Sequence, residues 1–368
     1  MSPLSSIVPA LFTISFTIFS SSGKLRAQNQ LDDYLSKHRY TIDLLNDQPK
    51  ELDELLASRL SGYKAVLLGE GGSHYLEFYF PLRLFLLRSL NRTLGVRSFV
   101  MEYGSSLSVL YNKYLSTGDS SYLPAFRDPN ALTFLRSLYH YNQAPGVQPI
   151  RTIGIDFESP IYYFKALRAL LPKDPPPLEL QNEIEIIKQS SDSSDCNDFV
   201  KTDRRLKESL RTHEATYRQY FKGNFDDVFR IISNEGSCKD VLKNRNTNLK
   251  ARFELFDSYD HDLLYYGELG EAHVNFTLKN LSYRLNNDKR SPFAGKVAVL
   301  NVYCYNCTTP HEAVSNWTMN KIEGDIRNTF LKYCDSDYTL FDLTQSDAPA
   351  ITRFRAYGQF LLIVKNQH

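Results

Sequence analysis

The stretch Ala65-Val66-Leu67-Leu68-Gly69-Glu70-Gly71-Gly72-Ser73-His74 constrains this chain more than any other. A short apolar run closed by glycines reads as a buried strand, and Gly71 and Gly72 permit a sharp turn where it ends. From Tyr75 to about Leu90 the apolar spacing becomes helical, with Leu82, Phe85, Leu86 and Leu90 on one side. Arg97-Ser98-Phe99-Val100-Met101-Glu102 then reads as a second strand. Such a β-loop-α-β unit predicts two parallel strands lying side by side. In open α/β sheets ligands gather beyond the carboxyl ends of the strands. Glu70, His74 and Glu102 all fall at that edge.

The rest of the chain repeats the alternation. Residues 28–64 read as helical and amphipathic, through Leu31, Tyr34, Leu35, Leu52, Leu55 and Leu56. Helices are expected over Leu107–Leu115, closed by Thr117-Gly118-Asp119, and over Asn130–Tyr141. Thr152–Phe157 reads as a third buried strand with Asp156 at its carboxyl end. Lys173-Asp174-Pro175-Pro176-Pro177 is a stiff connector. Residues 178–259 turn polar and helical, an insertion that serves either as a lid over the strand ends or as a plain outer layer. Strands resume at Leu263–Gly267, Val297–Tyr303, Leu340–Leu343 and Phe360–Val364. The fold class is therefore α/β, a mostly parallel central sheet with helices on both faces and a helical insertion.

Composition excludes some partners and suggests a compartment. A net charge of +1 and no basic stripe argue against nucleic acid. Ile7–Phe19 is apolar and is followed by Ser20-Ser21-Ser22-Gly23 and Leu25-Arg26-Ala27-Gln28. This is the pattern of a secretory signal over residues 1–27, leaving 28–368 as a secreted or periplasmic domain with no further membrane segment. Of five cysteines, Cys196 and Cys238 flank a helical region and suit a disulfide in an oxidising compartment. Cys304 and Cys307 have CxxC spacing without a second pair to complete a zinc site. Cys334 pairs with one of those two, or all three are buried thiols. Asn91, Asn275, Asn280, Asn306 and Asn316 open glycosylation sequons. No Gly-x-Ser-x-Gly elbow, phosphate-binding loop or GxGxxG motif is present.

Two acids and a histidine at strand ends suit water activation. A histidine of near-neutral pKa takes the proton, and a carboxylate orients it or stabilises its charged form. Each residue also has an ordinary reading, the histidine as a loop residue and the acids as helix caps. The order of motifs separates the two. Gly69-Glu70 with His74, Arg83 in the following helix and a strand ending in Glu102 resemble the erythromycin esterase family. Asn112-Lys113-Tyr114 with Gly118 is similar to the segment that follows that Glu, and Ile153-Gly154-Ile155-Asp156 to its later Gly-x-Asp strand. Arg245 and Glu271-Ala272-His273-Val274 resemble the Arg and the His-bearing strand end toward the family's C-terminus. The resemblance spans about Ala65 to Val364.

It implies a hydrolase that opens an ester or lactone. His74 would be the general base, with Glu70, Glu102 and His273 around the water. Arg83 and Arg245 would supply positive charge for the developing oxyanion, and Asp156 and Glu271 would contact substrate. Two departures from the family pattern stand out. Glu70 and His74 are four apart rather than three, and Gly270 and Glu271 stand where the family has an earlier His and an Asn. Glu268 or Glu271 would then serve as a substitute acid. The resemblance calls for no cofactor and for a small-molecule substrate. The same residues leave room for a divalent metal on Glu70, His74, Glu102, Glu271 and His273, a metal-dependent hydrolase or peptidase-like enzyme. A third alternative is a non-catalytic exported binding protein on the same scaffold.

Overall fold

The computed structural model describes residues 29–46, 49–71, 77–124, 129–191, 196–234, 244–259, 263–276, 279–307, 324–345, 351–352 and 358–367. The signal segment, His74, Cys238 and Asn316 lie outside them. Among the described residues eight strands form one sheet: β1 Arg39–Thr41, β2 Ala65–Glu70, β3 Ser98–Met101, β4 Arg151–Gly154, β5 Tyr265–Gly270, β6 Val297–Tyr305, β7 Tyr338–Asp342 and β8 Phe360–Lys365. Their spatial order is β1-β7-β8-β6-β2-β5-β3-β4. From β8 to β4 every neighbouring pair is parallel; only β7 and β1 join antiparallel. The fold is α/β, as the alternation predicts.

Two expectations need correcting. Residues 28–64 are not continuously helical, because β1 lies between a helix over 29–37 and a second over Lys50–Leu60. With only three residues, β1 is too short to show a period, and its pairing with β7 is what makes it a strand. The second correction matters more. Strands β2 and β3 are parallel but not adjacent, since β5 lies between them, pairing Glu70 with Gly270 on one side and Met101 with Glu268 on the other. Crossover geometry fixes handedness and direction; it does not stop a later strand from entering the gap.

The central strands are buried on both faces, as all-apolar runs in parallel sheets must be. One face packs on helices Lys50–Leu60, Tyr79–Leu94, Ser105–Thr117 and Pro129–Asn142, through residues such as Leu56, Leu86, Tyr111 and Leu138. The other face, through Leu67, Val100, Tyr265 and Val299, packs on helices Arg245–Tyr259 and Leu281–Asn287. The polar stretch 178–259 therefore divides. Its helices Gln181–Gln189, Cys196–Thr212, Glu214–Phe221 and Phe225–Ile232 share a core with helix Pro160–Leu170 and with Val109 and Leu110. Among its described helices the last, through Leu249 and Phe253, lies on the sheet. No described helix is long and apolar enough to cross a membrane.

Cysteine placement follows these layers. Cys196 is disulfide-bonded, whereas Cys304, Cys307 and Cys334 are buried thiols. Cys334 does not pair with Cys304 or Cys307, because it sits in a separate apolar cluster with Phe330 and Phe341. Three sequon asparagines are interior groups: Asn91, Asn275 and Asn280 are all buried. The Asn91 side-chain amide donates to the carbonyls of Val96 and Gln148 at 2.7 and 3.1 Å.

Helix Ser105–Thr117 is capped from outside its own sequence. Glu158 Oε1 accepts from the Ser105 amide at 2.7 Å and Oε2 from the Ser106 amide at 3.0 Å, a carboxylate at the positive end of a helix. The close approach requires glycine. A Cβ on Gly104 would stand 2.6 Å from Glu158 Oε2, and one on Gly154 would stand 2.7 Å from the Tyr103 carbonyl and meet the Gly104 carbonyl. Backbone atoms cannot swing aside as a side chain can. Gly154→Ala is therefore expected to lower stability by about 2 kcal/mol, read as a lower urea midpoint with an unchanged slope.

Candidate functional site

The carboxyl ends of the parallel strands carry two arginine-centred clusters. Alternation along a strand sends residues i and i+2 to one face. In β2 and β5 this places Glu70 on the face of Val66 and Leu68, and Glu268 on the face of Tyr266. Arg83, from helix Tyr79–Leu94, reaches both acids: its Nε donates to Glu268 Oε2, and its Nη2 lies 3.4 Å from Glu70 Oε1. The Tyr266 hydroxyl donates to Glu268 Oε1 at 2.7 Å. The guanidinium lies over the rings of Phe80, Phe99 and Phe134 at 5.0, 5.6 and 5.1 Å. The cluster is nearly dry, with side-chain exposures of 16% for Arg83, 7% for Glu70 and 2% for Glu268.

The second cluster belongs to the face of Val100. Glu102, just past β3, accepts the Gly270 amide on Oε2 at 2.9 Å and Arg245 Nη2 on Oε1 at 2.6 Å. Arg245 opens helix Arg245–Tyr259 and also pairs with Asp156. The Asp156 carbonyl is held by Arg252 and Asn234 at 2.7 and 3.0 Å. His273, in the short helix Glu271–Val274 directly after β5, places Nε2 3.5 Å from Glu102 Oε1 and Nδ1 2.7 Å from Asn246 Oδ1. Glu271 is buried, with the Asn275 amide 3.4 Å from its Oε1. The half-exposed Tyr103 stands between the clusters, its hydroxyl within electrostatic reach of Arg83, Glu70 and Glu102.

The structure thus brings Glu102, Asp156, Arg245 and His273 together, and separately Glu70 and Arg83. Because they lie on opposite faces of the sheet with β5 between their strands, Glu70 and Glu102 do not share one arginine. Sequence reasoning missed Asn246, Tyr266 and Glu158. The signals available were weak ones: Asn246 follows Arg245, and Glu158 is the second acid after β4. Among the described residues no group of three or more His, Cys, Asp and Glu side chains is disposed to hold a metal ion. In these two clusters the guanidinium groups of Arg83 and Arg245 supply the positive charge.

The fold has counterparts among solved structures. No family profile and no curated protein sequence matches the chain. A Bacillus cereus protein superposes with a TM-score of 0.64 at 16% identity, covering 92% of this chain and 97% of its own. A succinoglycan biosynthesis protein follows at 0.63 and 14%, with the same coverage. A mutant of erythromycin esterase EreC, in its open conformation, gives 0.58 at 13%, covering 87% of this chain and 95% of its own. At these identities the likeness is one of fold.

The two clusters bias their acids in opposite directions. Burial is the largest influence on Glu102 and disfavours its charge. The contact with His273, the Gly270 amide and the charge of Arg245 outweigh it, and the carboxyl is pulled down to about 2. For Glu268 burial again dominates; Arg83 opposes it, Glu70 adds to it, and the carboxyl ends well above the usual carboxylate range. Glu102 therefore stabilises the fold fully above the ordinary carboxylate pKa, and that stability is lost as pH falls toward 2. Chemical denaturation across pH 5 to 2 is expected to show a steeper loss for wild type than for Glu102→Gln.

Arg83→Met leaves two buried carboxylates without their cation. The expected cost is about 3–5 kcal/mol at neutral pH, shrinking in acid as Glu268 takes up its proton. A cost independent of pH would mean that Arg83 contributes packing alone.

Proposed function

We propose that the protein is an exported hydrolase that cleaves an ester or lactone of a small molecule with water activated by His74. The observation that carries this reading is the Glu102–His273–Arg245 arrangement beyond the strand ends, on a fold shared with erythromycin esterase EreC. His74 takes the proton of the attacking water. His273, paired with the ionised Glu102, moves the proton needed by the leaving alkoxide. Arg245, the more exposed of the two arginines, faces the oxyanion that develops on the carbonyl. Arg83 acts through Glu70, pairing with that carboxylate at the end of β2. Asp156 restrains Arg245, and Glu271 lines the substrate side of the short helix that bears His273. The disulfide at Cys196 supports export into an oxidising compartment.

The test is turnover by the full mature protein on a broad panel of esters and lactones. Wild type is expected to hydrolyse at least one member. His74→Ala is expected to lower kcat/KM by about a hundredfold or more while keeping the wild-type denaturation midpoint. Dialysis against a chelator is expected to leave the rate unchanged. Loss of activity on chelation would instead favour a metal-dependent hydrolase, and absence of turnover across the panel would favour a binding protein.

A further inference from the structure

The His273 ring is bracketed by two groups that accept hydrogen bonds. Nδ1 lies 2.7 Å from the Asn246 amide oxygen, and Nε2 faces Glu102 Oε1 at 3.5 Å. An amide oxygen has no proton to give, so the proton in the first contact belongs to Nδ1. Glu102 is itself fixed, with Oε2 on the Gly270 amide and Oε1 on Arg245. Asn246 and Arg245 are consecutive residues in the first turn of one helix, so a single turn positions both the carboxylate and the imidazole. That turn is anchored: the Thr247 and Asn248 amides donate to the Asn244 carbonyl at 2.9 and 3.1 Å, and Arg284 donates to the Thr247 hydroxyl at 3.1 Å.

We propose that Asn246 is a positioning residue that reserves Nδ1 of His273 as the protonated nitrogen. Nε2, on the Glu102 side, is then the one ring nitrogen that exchanges a proton with substrate or water. The use made of Nε2 rests on the hydrolase reading; the choice of nitrogen does not. The charged groups facing the ring are Glu102 from the end of β3 and Arg245 from the neighbouring helix, with Asp156 behind Arg245 and Glu271 on the same short helix. An Asn246→Leu change alters none of them. It removes the acceptor at Nδ1, and the Glu102 carboxylate then draws the single proton of the neutral ring onto Nε2. In that tautomer the ring gains a second proton only at Nδ1, which faces the leucine, so Nε2 no longer takes up and passes on the proton that the leaving alkoxide needs.

The experiment is long-range proton–nitrogen NMR of the full mature protein with nitrogen-15 histidine, at a pH where the ring is neutral. Signals are assigned by loss of the His273 resonances in His273→Gln. Wild type is expected to carry the proton on Nδ1. Asn246→Leu is expected to move it to Nε2, and Asn246→Asp, which keeps an acceptor, to leave it on Nδ1. On an ester substrate, Asn246→Leu should lower kcat by about a hundredfold with little change in KM, and Asn246→Asp should recover most of that loss. A wild-type ring protonated on Nε2, or a leucine variant with the wild-type tautomer, overturns the assignment. The wild-type spectrum alone is decisive if the leucine variant does not fold. A tautomer switch without ester turnover in any variant upholds Asn246 and removes the hydrolase reading.

Discussion

Strand β5 lies between β2 and β3, and the charge distribution of the molecule depends on that placement. It carries Glu268 into the sheet interior, opposite Leu68 and Met101. It also delivers Gly270 and His273 to the edge beside Glu102. Glu70 and Glu102 also leave their strands on opposite faces of the sheet, so each acid meets its own arginine. Side-chain alternation then places Arg83 with one helical layer and Arg245 with the other.

Carboxylates taken out of water are costly unless paired and hydrogen-bonded. Four of them meet two guanidinium groups here, so each arginine divides its charge between two acids. The results differ because the surroundings differ. Glu102 lies at the rim, collects an amide, an imidazole and a guanidinium, and is held ionised. Glu268 lies deep in the sheet beside another carboxylate, where burial wins and its proton is retained more tightly than usual. The cluster around Arg83 therefore braces Glu70, whereas the cluster around Arg245 meets solvent and is the better placed for chemistry. Glu158 extends the same logic outward by capping a helix that begins just beyond Glu102.

Much of this was legible in the sequence. The strands carrying Glu70, Glu102 and Asp156 announce themselves as glycine-bounded apolar runs, and burial on both faces is what that pattern means. Placement of Arg245 and His273 near Glu102 follows from the family-like order of motifs rather than from periodicity, since the residues are far apart in the chain. Strand β1 escaped notice because three residues carry no period, and the position of β5 because local spacing says nothing about a strand that returns much later. Asn246 was illegible for a related reason. An amide becomes informative only when the atom it touches is known, and His273 approaches it only after the sheet has formed.

The account requires that water, activated at the strand ends, be the group that attacks the carbonyl. Glu70 and Glu102 are themselves carboxylates, and either would serve as a nucleophile in a two-step mechanism. The most direct measurement is a single turnover of a hydrolysed ester with enzyme in excess, in water enriched in oxygen-18, followed by mass analysis of the released acid. Direct attack by water predicts one heavy oxygen in the acid formed in that first turnover. An unlabelled acid from the first turnover, with label appearing only on later cycles, would show that a protein carboxylate attacks first and would contradict the account.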